Sequence, residues 1–240
     1  MIRPYAVFDI DGTVIRWQLY HAIVGELINL GALNEQVGKD IRDARMTWKK
    51  RTHAESFREY EKVLVHAYHS AVINLTTKDF LNAVDAVFDE YKDQVYSFSR
   101  DLIYKLKADG YFLLAISGSQ QEIISKLADY YGFDDAVGQV YEQKDGYFTG
   151  EHTTPMFHKD RTLAELITKH KLSHEGSIAV GDSEGDIAML AMVEQPIAFN
   201  PSRGLFEEAK NQGWRIVVER KNMIYELESR DGKYLLAPPN

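Results

Sequence analysis

The sequence predicts an α/β fold, a doubly wound and mostly parallel sheet with a helical-bundle domain inserted after its first strand. Short apolar runs at residues 5–8, 111–116 and 177–180 alternate with segments of helical periodicity. Residues 39–109 contain neither Gly nor Pro, and their apolar positions recur at helical spacing. Alternating strands and helices form right-handed crossovers and a parallel sheet, but this helical stretch is too long for one crossover.

The helical stretch forms a separate domain in this interpretation. Four helices are predicted, over residues 19–30, from 34 to about 50, over 55–73, and from 76 or 77 to about 91. Short connections between them predict a small bundle. We therefore assign residues 15–97 to a cap inserted in an α/β catalytic core of residues 1–14 plus 98–240.

The rest of the chain returns to the alternating pattern. Ser119 and Glu122 form a capping-box sequence before a predicted helix, and Asp145-Gly146 is typical of a hairpin turn. Strands are predicted at residues 111–116, 136–141, 177–180, 196–199 and 214–218, and helices at 100–107, 123–131, 160–170 and 204–210.

Composition excludes several classes of function. The 240 residues are 45% hydrophobic, enough for a full core, and the net charge of −8 argues against a nucleic-acid-binding surface. There is no cysteine, no apolar segment of membrane-spanning length and no signal-peptide pattern before Asp9. We expect a cytoplasmic protein that binds neither nucleic acid nor membrane, and no pattern predicts its oligomeric state.

Asp9 and Asp11 follow the first strand, where the chain turns at Gly12. Side chains two residues apart on an extended chain project to the same face. Two carboxylates ~4 Å apart repel by about 4 kcal/mol at an effective dielectric of ~20, so a cation is expected between them. Mg²⁺ suits oxygen ligands of this kind. Taken alone, the segment is equally compatible with a polar turn that caps a helix.

Three further polar features follow later strands. Ser117 ends one strand before a helix, Lys159 precedes another helix, and Asp182 and Asp186 share a helix face after Gly181. Each has a simpler explanation as a helix cap or a solvated surface group. Their order on successive α/β units, with their strand ends at one edge of the sheet, favours a single site.

In this order the motifs resemble the four motifs of the haloacid dehalogenase superfamily. They are residues 9–13, residues 117–119, Lys159 and residues 181–186. The resemblance covers almost the whole chain and implies a Rossmann-like core. The helical insertion, the 145–150 hairpin and Asn200-Pro201 are similar to the phosphoserine-phosphatase-like branch.

This resemblance implies a role for each motif residue. Asp9 would be the nucleophile, and Asp11 would protonate the leaving group and later accept a proton from water. Mg²⁺ would be held by Asp9, the Asp11 backbone carbonyl and Asp182. The phosphoryl group would be bound by Ser117, Gly118 and Lys159. The supporting residues would be Asp186, Thr13 and Ser183.

The resemblance is weakest for the substrate. Phosphoserine phosphatases carry a glutamate nine residues after the nucleophile, whereas this chain has Gln18, which supplies no charge to pair with an ammonium. We expect phosphoserine to be a poor substrate, and Trp17, Gln18 and Tyr20 to influence specificity. Another carboxylate, Glu26 or Glu55, would reverse this expectation if it lay in the same place.

The sequence thus predicts a Mg²⁺-dependent phosphatase that hydrolyses a small phosphorylated metabolite through a phospho-aspartyl intermediate. One alternative is a phosphotransferase or phosphomutase of the same superfamily, which would keep the four motifs and exclude water from the intermediate. A second alternative is a non-catalytic regulatory protein that binds phosphate ligands.

Overall fold

The computed structural model describes residues 3–53, 56–73, 75–221, 223–230 and 233–236. The described residues fall into two compact units. The first comprises residues 1–18, 91–139 and 154–240, and the second comprises residues 19–90 and 140–153. We refer to them as the core unit and the helical unit.

The strands are bounded as follows: β1 (Pro4–Phe8), β2 (Phe112–Gln120), β3 (Asp135–Lys144), β4 (Tyr147–Thr153), β5 (Ser173–Gly181), β6 (Gln195–Phe199), β7 (Arg215–Arg220), β8 (Met223–Arg230) and β9 (Lys233–Leu236). The helices are α1 (Leu19–Asn29), α2 (Glu35–Lys49), α3 (Ser56–Val72), α4 (Thr77–Tyr91), α5 (Ser97–Ala108), α6 (Gln121–Tyr131), α7 (Lys159–His170), α8 (Ile187–Leu190) and α9 (Arg203–Gln212), with a 3₁₀ turn at Glu184–Asp186.

The sheet of the core unit has the strand order β3-β2-β1-β5-β6-β7-β8-β9. The pairs from β3 to β7 are parallel, and β7-β8 and β8-β9 are antiparallel. Val7, Leu114 and Ala179 are fully buried on the central strands, as expected for a sheet covered on both faces. The predicted α/β fold with a mostly parallel sheet is confirmed.

The helical unit contains helices α1 to α4 and the hairpin of residues 140–153, which is formed by the second half of β3 and by β4. Asp145 and Gly146 both have positive φ, as the predicted two-residue turn requires. Backbone hydrogen bonds join the hairpin to the helices, from Thr77 N to Gly146 O and from Phe148 N to Leu75 O. The unit therefore has a small sheet element in addition to its helices.

The bounds of this unit differ from those of the predicted insertion. Residues 15–18 and 91–97 belong to the core unit, because Ile15 bridges both Asp11 and Val95. Residues 140–153, which we had assigned to the catalytic core, belong to the helical unit. The predicted start of the third helix, Glu55, lies outside the described residues.

Two local predictions are wrong. The N-cap of α6 is Gln120 and not Ser119, because β2 stays extended as far as Gln120, which pairs with Gln139. Strands β8 and β9 were not predicted, since charged residues such as Glu226 and Glu228 interrupt the apolar pattern of β8. Among the described residues, no helix has the length and apolar character needed to span a bilayer.

Candidate active site

The fold brings the motif residues to the carboxyl edge of three neighbouring strands. Strand β1 lies between β2 and β5 and is parallel to both. Asp9 directly follows β1, and its backbone N–H donates to Val180 O of β5 at 2.9 Å. Ser117 lies near the end of β2, and Asp182 directly follows β5. Parallel neighbours therefore carry these side chains to one edge of the sheet.

Lys159 connects two of the aspartates. Its Nζ donates to Asp9 Oδ1 and to Asp186 Oδ1, both at 2.6 Å, and all three side chains are buried. Burial lowers the pKa of Lys159, but the two carboxylates more than offset this, so the net shift is upward. Lys159 is therefore a fixed cation whose hydrogen bonds orient Asp9.

Asp186 also holds the turn that follows β5. Its Oδ2 accepts the backbone N–H groups of Asp182 and Ser183 at 3.1 and 3.0 Å and the Ser183 hydroxyl at 2.9 Å. Both carboxylate oxygens of Asp186 are thus engaged by protein groups. Asp186 positions Asp182 and Lys159 and offers little to an additional ligand.

Asp9, Asp182 and Asp186 form a cluster whose ligand atoms lie within 4.8 Å of one another. Burial and the neighbouring carboxylates raise the pKa of Asp9 to about 7, against the opposing effect of Lys159. Burial, followed by the charges of Asp9 and Asp186, also raises the pKa of Asp182 well above its usual value. The pKa values of both carboxyl groups are therefore raised mainly by burial, and the neighbouring carboxylates add to the shift.

The donor set fits a hard divalent cation. Asp9 Oδ2 is buried and has no hydrogen-bond partner among the described residues. A buried carboxylate oxygen without a partner is costly unless a cation or proton meets it. Because Asp186 is engaged on both oxygens, Asp9 and Asp182 are the carboxylates available to Mg²⁺, whose preferred ligands are oxygen atoms.

Asp11 faces the second motif. The Ser117 hydroxyl donates to Asp11 Oδ2 at 2.6 Å and accepts the Ser119 N–H at 2.9 Å. The negative charge of Asp11 contributes to raising the pKa of Asp9, so each carboxylate disfavours ionisation of the other. The carboxylates that could hold a metal include that of Asp186 but not that of Asp11. The ligand predicted from Asp11 is its backbone carbonyl, not its side chain.

Two glycines allow close approaches within the site. Gly12 has φ +87°, and a Cβ at this position would lie 2.3 Å from Asp182 Oδ2. A Cβ on Gly118 would lie 3.1 Å from Met156 Sδ, so Met156 packs against the end of β2. Both glycines are therefore tightly packed against neighbouring side chains.

The remaining predicted residues lie in different surroundings. Thr13 is buried, and its backbone carbonyl accepts the Ser99 hydroxyl at 2.6 Å. Trp17 and Gln18 are half-buried in the core unit. Tyr20 belongs to the helical unit, where it is buried and its hydroxyl lies 3.3 Å from that of Tyr141. Tyr20 thus has a core-packing role within its own unit.

Sequence reasoning did not single out Met156, Arg16 or Tyr96 as site residues. Met156 precedes Lys159 by three positions, and no pattern indicates its contact with Gly118. Tyr96 directly precedes α5, far from Asp9 in sequence, and its ring lies beneath the guanidinium of Arg16 at 5.2 Å. The only sequence signal for Arg16 is its position shortly after the first motif.

The fold and the acidic site define a doubly wound α/β protein with its polar groups at the ends of parallel strands. Residues 6–191 match the haloacid dehalogenase-like hydrolase family, and the chain belongs to that family. This confirms the superfamily that the four motifs predicted.

Individual relatives agree with the predicted branch. The chain is 28% identical to phosphoserine phosphatase SerB1 of Mycobacterium tuberculosis over 55% of its own length and 44% of that relative. It is 25% identical to a histidinol-phosphatase of Neisseria meningitidis serogroup C, over 90% of its length and 99% of the relative. A solved structure of a phospho-aspartyl intermediate analogue of phosphoserine phosphatase has the same fold, with a TM-score of 0.59, 21% identity, and coverage of 92% and 95% of the two chains. The chain spans less than half the length of the first of these relatives.

Proposed function

We propose that this protein is a Mg²⁺-dependent phosphatase that hydrolyses a small phosphomonoester through a phospho-aspartyl intermediate. The observation that carries the proposal is the state of Asp9. One oxygen of its buried carboxylate is fixed by Lys159, and the other has no hydrogen-bond partner in the part of the chain that the structure describes. A carboxylate oriented in this way is suited to attack an electrophilic phosphorus.

The first half-reaction transfers the phosphoryl group to Asp9. One carboxylate oxygen of Asp9 forms a bond to phosphorus while the bond from phosphorus to the alcohol oxygen breaks. Asp11, in its protonated form, gives its proton to the departing oxygen. The Ser117 hydroxyl, which donates to Asp11 in the structure, would donate to a phosphoryl oxygen once the ester is bound. The products are the free alcohol and an acyl phosphate on Asp9.

The second half-reaction releases phosphate. Asp11, now ionised, accepts a proton from a water molecule as that water attacks phosphorus. The bond between phosphorus and Asp9 breaks, inorganic phosphate leaves, and both aspartates return to their starting states. Asp11 thus serves first as acid and then as base.

The negative charge on the oxygens of the transferring phosphoryl group is stabilised by cations and by N–H donors. Lys159, the Ser117 hydroxyl and the Gly118 N–H are the protein groups we assign to the phosphoryl oxygens. Asp9, the Asp11 backbone carbonyl and Asp182 would hold Mg²⁺, which supplies neutralising charge to the phosphoryl oxygens. Asp186 would keep Lys159 and Asp182 in position, as its hydrogen bonds indicate.

The relatives support a phosphatase and leave the alcohol open. One is named phosphoserine phosphatase and another histidinol-phosphatase, and both names describe phosphomonoesters of small molecules. We assign the role of a cap to the helical unit, whose helices (residues 19–90) are inserted between the first and second motifs and whose hairpin (residues 140–153) follows the second motif. Gln18, which stands where phosphoserine phosphatases carry glutamate, supports the view that phosphoserine is a poor substrate.

The experiment that tests the proposal combines turnover with chemical trapping. A panel of metabolite monophosphates is incubated with protein and Mg²⁺, and free phosphate is measured. A ³²P-labelled substrate is then quenched in acid, where an acyl phosphate on Asp9 is expected to remain attached and to be removed by hydroxylamine. Asp9→Asn should carry no label. Phosphate release with an unlabelled wild type would reject the covalent step, and recovery of an isomerised ester or a phosphorylated acceptor would identify a transferase.

A further inference from the structure

Arg16 is attached to the first motif by backbone hydrogen bonds. Gly12 N donates to Ile15 O at 3.0 Å, and Ile15 bridges both Asp11 and Val95. Arg16 N donates to Gln94 O at 2.8 Å. The backbone that carries Arg16 is therefore fixed relative to Asp11 within the core unit.

The guanidinium of Arg16 is supported on one side by an aromatic ring. Its Cζ lies 5.2 Å from the centroid of the Tyr96 ring, within the range of a cation–π interaction. Tyr96 is itself held in place, by a hydrogen bond from its N–H to Val14 O and by an edge contact with Phe199 at 5.0 Å. The ring thus limits the conformations available to the Arg16 side chain.

Arg16 is exposed and has no ion-pair partner among the described residues. By contrast, Arg3, Arg100 and Arg215 each lie within 4.0 Å of a carboxylate. The other cation at the site, Lys159, is already engaged by Asp9 and Asp186. Arg16 is therefore an oriented cation near the first motif whose hydrogen-bond donors remain available.

The Arg16–Tyr96 pair lies on the side of the core unit that carries Asp182. Burial raises the pKa of Tyr96, the charge of Arg16 opposes the shift, and the charges of Asp182 and Glu219 add to it. The ring of Tyr96 contacts Phe199 at the end of β6, and Ser202 N, three residues further on, donates to Asp182 O at 2.7 Å, so the pair lies beside the turn that carries Asp182. A ligand group bound by Arg16 would thus be adjacent to the acidic site.

We propose that Arg16 determines specificity by binding an anionic group, a carboxylate or a second phosphate, on the alcohol part of the substrate. The proposal rests on the phosphatase function proposed above and narrows its substrate class. A guanidinium binds a carboxylate or phosphate through two parallel hydrogen bonds, and charge-assisted bonds are about twice as strong as neutral ones. Orientation by Tyr96 reduces the entropy lost when the ligand binds.

Two esters that differ in one group provide the test. In 3-phosphoglycerate a carboxylate stands where glycerol 1-phosphate has a hydroxymethyl group. We expect the wild type to favour the carboxylate ester. Arg16→Gln should lower kcat/KM for that ester by about 10- to 100-fold and for the neutral ester by less than about threefold. Arg16→Lys should retain part of the preference, since it keeps the charge but loses the planar fork.

Arg220→Gln serves as a matched control, because Arg220 is also exposed and lies at the end of β7. It should leave the ratio of the two kcat/KM values unchanged. Equal losses on both esters in Arg16→Gln, or an unchanged ratio, would overturn the role of Arg16. A wild type that prefers the neutral ester would also overturn it while leaving the phosphatase proposal intact. Absence of hydrolysis of these and all other esters would instead reject the phosphatase proposal.

The role of Tyr96 as a positioning residue can be measured separately. Tyr96→Phe keeps the aromatic face and should leave the preference for the carboxylate ester unchanged. Tyr96→Leu removes the face and should raise KM for that ester by about two- to fivefold, with little change in kcat or in turnover of the neutral ester. Melting temperatures identify any loss of folded protein. An equal effect on both esters would show that Tyr96 contributes only to packing.

Discussion

Lys159 Nζ donates a hydrogen bond to Asp9 Oδ1 at 2.6 Å, while Asp9 Oδ2 remains buried without a partner among the described residues. The two oxygens of one carboxylate are therefore in different electrostatic environments. A fixed ammonium beside Oδ1 stabilises the ionised form, and burial opposes it. The first prediction follows from this asymmetry.

Replacement of Asp9 by Asn should abolish turnover and leave the fold intact. The change removes the attacking oxygen and one candidate metal ligand, but it preserves the volume of the side chain. We expect less than about one hundredth of the wild-type rate, since general acid–base assistance alone is worth ~10²- to 10⁴-fold. The exposed Asp109→Asn is the control and should match the wild type. A higher residual rate in Asp9→Asn would indicate a mechanism without the covalent step.

Replacement of Asp11 by Asn should affect substrates according to their leaving groups. An alkyl phosphate needs a proton on its departing oxygen, whereas p-nitrophenol leaves readily without one. We expect single-turnover phosphorylation by the alkyl ester to slow by about 10²-fold or more, and phosphorylation by p-nitrophenyl phosphate to slow far less. If both reactions slow equally, Asp11 is not the acid in the first half-reaction.

The residues of the site were predictable from sequence because each follows a recognisable strand or precedes a helix. Asp9, Ser117 and Asp182 lie at the ends of neighbouring parallel strands, and that arrangement follows from chain order and crossover handedness. The side-chain pairings were less predictable. Asp186 makes hydrogen bonds to Lys159 and to the turn at Asp182, which depend on local loop geometry that periodicity does not encode.

The unpredicted parts of the fold depend on long-range contacts. The hairpin at residues 140–153 resembles a core element in sequence, but backbone hydrogen bonds to Thr77 and Leu75 associate it with the helical unit. The Arg16–Tyr96 contact joins residues on either side of the whole helical insertion. Neither contact leaves a short-range sequence signal, since both depend on which segments meet after folding.

Stability of the metal-free protein should decrease as pH rises from about 4 to about 7. The pKa of Asp9 is raised to about 7 from its usual value of 3.8, so the folded protein binds more protons than the unfolded chain in that range. Deprotonation of Asp9 in this pH range therefore lowers the free energy of unfolding. Addition of Mg²⁺ should stabilise the folded protein, and more at pH 8 than at pH 5, because the ion binds the ionised carboxylates.

Urea unfolding at pH 5 and pH 8, with and without Mg²⁺, measures both effects. Asp182→Asn should reduce the pH dependence and also the shift caused by Mg²⁺, because it removes one charge and one ligand from the cluster. Asp109→Asn again provides the control. Mg²⁺ stabilisation that is the same at both pH values would contradict binding at this cluster.

Replacement of Gly12 by Ala should weaken Mg²⁺ binding, and Gly110→Ala provides a matched comparison. Gly12 and Gly110 have φ values of +87° and +83°, so both substitutions impose similar backbone strain, of about 1 kcal/mol. At Gly110 the added Cβ would meet no atom of the described residues within 4 Å, whereas at Gly12 it would lie 2.3 Å from Asp182 Oδ2. Only Gly12→Ala must therefore displace a candidate ligand.

We expect Gly110→Ala to lower the free energy of unfolding without changing Mg²⁺ affinity, and Gly12→Ala to raise the Kd for Mg²⁺ by roughly tenfold or more in calorimetric titrations. Equal Mg²⁺ affinities in the two variants would show that Asp182 does not contribute to binding the ion.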